Sequence, residues 1–189
     1  SNLQNYIDLN RSYFSSFTIP NGTEVILKSN PNLSTSSVSL VIDGGELSFA
    51  ETEPGMAEIL TYSLASLLQN QLDKKHSLSV IEYDAEVKAV TGNEYSQLTI
   101  NCSSKDLNEC IKTLADTIIY TDITPALADG IIFDMTSRWK VKNLTPDYQL
   151  LCGAMKEIYN GKIEQKLFNC KQDRPGTMEF TRIEQNYTT

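Results

Sequence analysis

The stretch Gly55-Met56-Ala57-Glu58-Ile59-Leu60-Thr61-Tyr62-Ser63-Leu64 puts a carboxylate, a hydroxyl and a phenol at three- and four-residue spacing. On a helix, residues so spaced share a face and can meet around one ligand or one another. Elsewhere the usual carriers of chemistry are sparse. His76 is the only histidine; following Lys74-Lys75, it reads as a solvent-exposed loop residue. Of the four cysteines, Cys102, Cys110, Cys152 and Cys170, no two form a C-x-x-C pair. A structural zinc site of ribbon type is therefore not expected. The even count allows two disulfides, but the chain is long enough to fold without them, and buried free thiols are the expectation.

Apolar periodicity and turn chemistry give the elements that would position these groups. Phe14 to Ile19 reads as a strand ended by Pro20-Asn21-Gly22, and Thr23 to Lys28 as its return, because Asn-Gly tolerates positive φ at both positions. Ser37 to Ile42 is β-branched and partly alternating, a third strand stopped by Asp43-Gly44-Gly45. After an acidic loop, Pro54-Gly55 opens a helix whose Met56, Ile59, Leu60, Ser63, Leu64, Leu67 and Leu68 form one stripe. Ala85 to Val90 and Ser96 to Ile100 read as a hairpin turned at Gly92-Asn93. Ser104 has the chemistry of an N-cap for a helix carrying Leu107, Cys110, Ile111, Leu114, Ile118 and Ile119. Thr124-Pro125 opens a helix to about Lys142, and Thr145-Pro146 another to Asn160-Gly161. The tail from Cys170 to Thr189 has turn chemistry at Arg174-Pro175-Gly176.

Strands in hairpins followed by helices in blocks predict an α+β fold, a mostly antiparallel sheet covered on one face by helices. No linker or low-complexity segment interrupts residues 1–189, so they are expected to form a single domain, the N-terminal domain of a longer protein. At 189 residues, 40% hydrophobic and 21% charged, the chain is of globular type. No stretch approaches a membrane span. The net charge is -8, and the local basic run Arg138-Trp139-Lys140-Val141-Lys142 reads as a solvated helix face, so nucleic acid is not an expected partner. The compartment, cytoplasmic, periplasmic or secreted, is left open.

Pro20-Asn21-Gly22, Gly55-Met56-Ala57 and the order of the elements together resemble the pitrilysin/insulinase family of zinc metallopeptidases, over roughly residues 13 to 185. The family includes the mitochondrial processing peptidase subunits and the core subunits of the respiratory bc1 complex. Active members carry H-x-x-E-H on the helix after G-x-A. Two histidines on one face hold zinc, and the glutamate serves as general base toward the metal-bound water.

The resemblance places Glu58 at the first histidine position, Thr61 at the base position and Tyr62 at the second histidine position. In active members a further glutamate well downstream of H-x-x-E-H completes the ligand set; aligning Leu114-Ala115-Asp116 and Glu157-Ile158-Tyr159-Asn160 brings Arg138 to that distal ligand position, with Asp134 as the fallback. None of these substitutions suits zinc. Threonine is no base at neutral pH, a phenol has an ordinary pKa near 10, and a guanidinium would set a fixed charge beside a dication. The resemblance thus implies a degenerate member with no catalytic residues and no cofactor, where active relatives hold zinc. An Arg138–Glu58 ion pair is expected in place of the metal, with Tyr62 as a hydrogen-bond donor.

The implied partners are a homologous peptidase domain or an active subunit, together enclosing a peptide. Dimerisation is compatible with this, and the acidic balance would favour basic peptides. A structural or assembly subunit, like the bc1 core proteins, is the second implication. An active zinc peptidase with atypical ligands is the third.

Overall fold

The computed structural model describes residues 14–49, 55–78, 85–120 and 122–160. In chain order these form β1 (Phe14–Thr18), β2 (Glu24–Lys28), β3 (Thr35–Asp43), α1 (Glu46–Phe49), α2 (Met56–Leu78), β4 (Glu86–Thr91), β5 (Tyr95–Ser103), a 3-10 turn (Ser104–Asp106), α3 (Leu107–Tyr120), α4 (Pro125–Asn143) and α5 (Pro146–Ile158). The chain divides into two compact units, Ser1–Thr35 and Ser36–Thr189.

The first unit holds the antiparallel hairpin β1–β2, registered from Phe14 opposite Lys28 to Thr18 opposite Glu24. Its turn uses Pro20-Asn21-Gly22 differently from the expectation. Gly22 has φ +89°, while no non-glycine among the described residues has positive φ. Asn21 contributes through its side chain instead, its Oδ1 accepting from Thr23 N at 3.1 Å.

In the second unit the sheet order is β3-β5-β4. β4 and β5 are antiparallel, from Glu86 opposite Asn101 to Thr91 opposite Ser96. β3 lies along the other side of β5: the Ser36 hydroxyl pairs with Ser104, that of Ser39 with Thr99, and Ser96 Oγ donates to the Gly44 carbonyl. The opposed order of these pairs makes β3 antiparallel as well. Leu98, Ile100 and Cys102 alternate inward from β5 and pack under Leu64, Leu68 and Leu72 of α2 and Cys110 and Leu114 of α3. Val38, Leu40, Val87 and Ala89 complete that layer. The expected α+β architecture, with helices on one face of an antiparallel sheet, is what is found.

A second cluster lies on the far side of α2, where Met56 and Ile59 meet Ile123, Ala128 and Met135, with Trp139 at its margin. Buried residues therefore flank α2 on two sides, which accounts for its dense apolar stripe.

Several local expectations are corrected. The acidic loop contains α1, a single turn. α2 runs to Leu78, so His76 stands on a helix rather than in a loop. Ser104 does not cap α3: it begins the 3-10 turn, and its hydroxyl pairs with Ser36. Thr124 does cap α4, accepting from Leu127 N at 3.4 Å. Thr145 precedes Pro146 as expected, but its hydroxyl donates back to the Lys142 carbonyl. Cys102 and Cys110 are free and buried, whereas Cys152 is disulfide-bonded, so the free-thiol expectation fails there. The expectations for Cys170 and for the turn at Arg174-Pro175-Gly176 lie outside the described residues.

Candidate functional site

The start of α2 is fixed by a residue with no sequence neighbour in the helix. Glu46 opens α1, and both its carboxylate oxygens accept backbone N–H groups at the α2 terminus, Gly55 N at 2.8 Å and Glu58 N at 2.9 Å. A helix N-terminus leaves such donors unpaired and carries partial positive charge, so a carboxylate there satisfies both demands. Gly55 has φ +95°, a conformation that favours glycine, and its carbonyl accepts the first helical bond from Ile59 N at 3.1 Å.

Glu46 is itself held by the β4–β5 turn. Its own N–H donates to the Gly92 carbonyl and that of Leu47 to Asn93. A Cβ on Gly45 would stand 2.4 Å from the Gly92 oxygen, so only glycine permits this approach.

Beside the first turns of α2, the chain presents a cleft of about 330 Å³ between α1, α2, β4 and α4. Glu46, Glu58, Tyr62, Thr91, Met135, Arg138, Trp139 and Lys142 line it. Three of the four positions singled out by sequence, Glu58, Tyr62 and Arg138, thus come together. Thr61 does not join them: it is 4% exposed, and its hydroxyl donates to the Ala57 carbonyl at 2.7 Å. Asp134, the fallback, stands beside Arg138 on α4 at 3.7 Å, with both side chains mostly exposed.

The expected Glu58–Arg138 ion pair is not formed. Glu58 Oε2 instead accepts the indole N–H of Trp139 at 3.3 Å. The Arg138 guanidinium lies over the Tyr62 ring, 5.5 Å from its centroid, so Tyr62 offers its π face in place of its hydroxyl. One turn along α4, Lys142 lies over Tyr148 at 4.6 Å. Burial raises the Glu58 pKa above the ordinary carboxylate value, and the neighbouring Glu46 charge adds to this. The Trp139 hydrogen bond and the charges of Lys142 and Arg138 pull it back down. Both cations are thus near enough to act on Glu58 without reaching it. Thr91 Oγ1 is buried with no hydrogen-bond partner among the described residues.

The donor chemistry does not fit a catalytic zinc. Such a site takes three protein ligands and an open position. Here one carboxylate caps a helix, another accepts an indole N–H, and the phenol and the distal position are joined by a cation–π contact. Sequence reasoning missed Trp139, Glu46, Thr91 and Lys142. The basic run did contain Trp139 and Lys142, but the contact of Trp139 with Glu58 depends on how α4 packs against α2.

A family model described as Insulinase (Peptidase family M16) matches residues 24–147. Among solved structures, the chain is similar to a peptidase M16 inactive domain from Pseudomonas fluorescens, with TM-score 0.74 and 11% identity over 92% of this chain and 42% of that one. It is also similar to an M16-like peptidase from Alicyclobacillus acidocaldarius, with TM-score 0.74 and 12% identity over 93% of this chain and 42% of that one. The chain spans less than half the length of these solved relatives. No curated protein matches.

Proposed function

Because the chain belongs to the insulinase family, peptidase family M16, we propose that it is a member that has lost the zinc site and acts beside a homologous domain or an active subunit, helping to enclose a peptide. One observation carries this reading. Glu58, Tyr62 and Arg138 meet at one cleft, yet they do not form a zinc ligand set: Glu58 accepts the Trp139 indole N–H, and the Arg138 guanidinium lies over the Tyr62 ring. Thr61, at the position of the base, turns its hydroxyl into its own helix. On this reading the chain has no catalytic residues and no cofactor of its own. The description of one similar structure as an inactive domain supports it.

The test is capture of a partner. The tagged chain, expressed in its native host, is expected to bring down a protein bearing H-x-x-E-H, and the pair is expected to cleave peptides that neither cleaves alone. Peptide cleavage by the isolated chain, abolished by Glu58→Ala, would overturn the reading in favour of an active peptidase with atypical ligands.

A second reading, a structural or assembly subunit like the bc1 core proteins, is favoured by one surface. α4 carries Phe133 and Val141 on the side away from its buried Ala128 and Met135, Leu144 follows its last residue, and α5 carries Leu150 and Ile158, all at least 65% exposed. Apolar side chains so placed suit burial against another protein. A stable complex containing no peptidase would support this reading. No helix among the described residues is long and apolar enough to cross a membrane.

A further inference from the structure

The cleft beside α2 has an unusual charge arrangement. It is lined by two carboxylates and two cations, yet no ion pair joins them. The acids are already occupied: Glu46 accepts from Gly55 N and Glu58 N, and Glu58 Oε2 from the Trp139 indole. The cations, Arg138 and Lys142, stand one turn apart on α4, each over a tyrosine ring. The one ion pair either makes among the described residues is the 3.7 Å contact of Arg138 with Asp134, an exposed pair on its own helix. Contacts of that kind hold a cation weakly. In the same cleft, the Thr91 hydroxyl is buried without a partner among the described residues, a cost that a bound polar group would remove. Met135, Trp139 and Tyr62 supply apolar wall.

We propose that this cleft takes the C-terminal residue of a peptide, with its carboxylate held between Arg138 and Lys142. The proposal rests on the peptide-holding reading above and names which end of the peptide is held. A carboxylate is the group that two cations with no strong partner recognise, and a guanidinium can meet it with two parallel N–H bonds. Thr91, whose buried hydroxyl has no partner among the described residues, lines the same cleft. The volume, about 330 Å³, lies at the small end of ligand sites, which suits one residue rather than a peptide segment. The neighbouring acids do not forbid an anion, since Glu46 faces the positive end of α2.

Trp139 is the sole tryptophan and lines the cleft, so its fluorescence reports occupancy directly. The full chain would be titrated with acetyl-Ala-Ala-Leu bearing a free carboxylate and with the same peptide amidated. The free acid is expected to bind, and the amide to bind about tenfold more weakly or worse, the usual loss when a charge-assisted contact is removed. Arg138→Gln and Lys142→Gln, both at exposed positions, are expected to erase the difference between acid and amide while circular dichroism stays unchanged. Equal binding of acid and amide would overturn the proposal and leave the peptide-holding reading standing. Binding of neither peptide at millimolar concentration would overturn the proposal and count against that reading too.

Discussion

Replacing Glu46 by alanine would test whether a side chain outside α2 fixes where that helix begins. The change removes two charge-assisted bonds, at 2.8 and 2.9 Å, from N–H groups that have no helical partner. A capping side chain contributes about 1 kcal/mol, and the charge at the helix terminus adds about 0.3–1 kcal/mol. With two donors released at a half-buried site, the gross loss is about 2.5 kcal/mol. Some of it returns, because the Glu46 charge disfavours ionised Glu58 and its removal relieves that repulsion. A net loss of about 2 kcal/mol corresponds to a fall in Tm of about 4–8 °C for a chain of this size. Glu46→Gln keeps one acceptor oxygen and should cost about half as much. Urea unfolding followed by Trp139 fluorescence gives both numbers. Alanine costing under about 0.5 kcal/mol, or glutamine costing as much as alanine, would refute the cap.

Three further outcomes follow from the same geometry. Glu58 has a raised pKa in the fold, so the folded state binds its proton more tightly, and its contribution to stability declines as pH rises from the ordinary carboxylate value through the folded value. Glu58→Gln, which still accepts from Trp139, should therefore gain stability relative to wild type above that window and match it below; unfolding at pH 4 and pH 8 giving the reverse order would contradict this. Trp139→Phe removes the 3.3 Å bond to Glu58, should cost about 1 kcal/mol, and should move the pH-dependent loss of stability to higher pH, which a stability–pH profile would detect. Cys102 and Cys110 are buried side by side with both pKa values raised, that of Cys110 to about 12, so a thiol reagent at pH 8 should modify them only after unfolding; rapid labelling of the native chain would contradict that environment.

What the sequence could and could not reveal follows from the range over which each feature is determined. The stripe from Met56 to Leu68 is a local pattern, and α2 appears where the stripe puts it. Its extension to Leu78 escaped because the last turns, Asp73-Lys74-Lys75-His76, are polar and carry little periodicity. α1 is a single turn, too short to be stable alone, and exists because Gly45 lies against Gly92 and the β4–β5 turn accepts its N–H groups.

The site divides in the same way. Glu58 and Tyr62 were reachable through the G-x-A frame and Arg138 through the anchors Leu114-Ala115-Asp116 and Glu157-Ile158-Tyr159-Asn160, and the three share a cleft. Their pairing was not. Arg138 and Trp139 are adjacent on α4, and the packing of Met135 and Trp139 near Met56 and Ile59 decides that the indole, not the guanidinium, meets Glu58. Thr61 shows the converse: its position in the frame was legible, but its hydroxyl turns into the helix, a common choice for threonine there. The Cys152 disulfide depends on distant geometry that spacing alone does not fix.

Elemental analysis of zinc tests most directly whether the cleft beside α2 is a lost metal site. It should be made on chain purified without chelator or a metal-binding tag. A zinc content near zero per chain, unchanged by Glu58→Ala, is the expected result. One zinc per chain, lost on Glu58→Ala, would contradict it and make a peptidase assay of the isolated chain the next step.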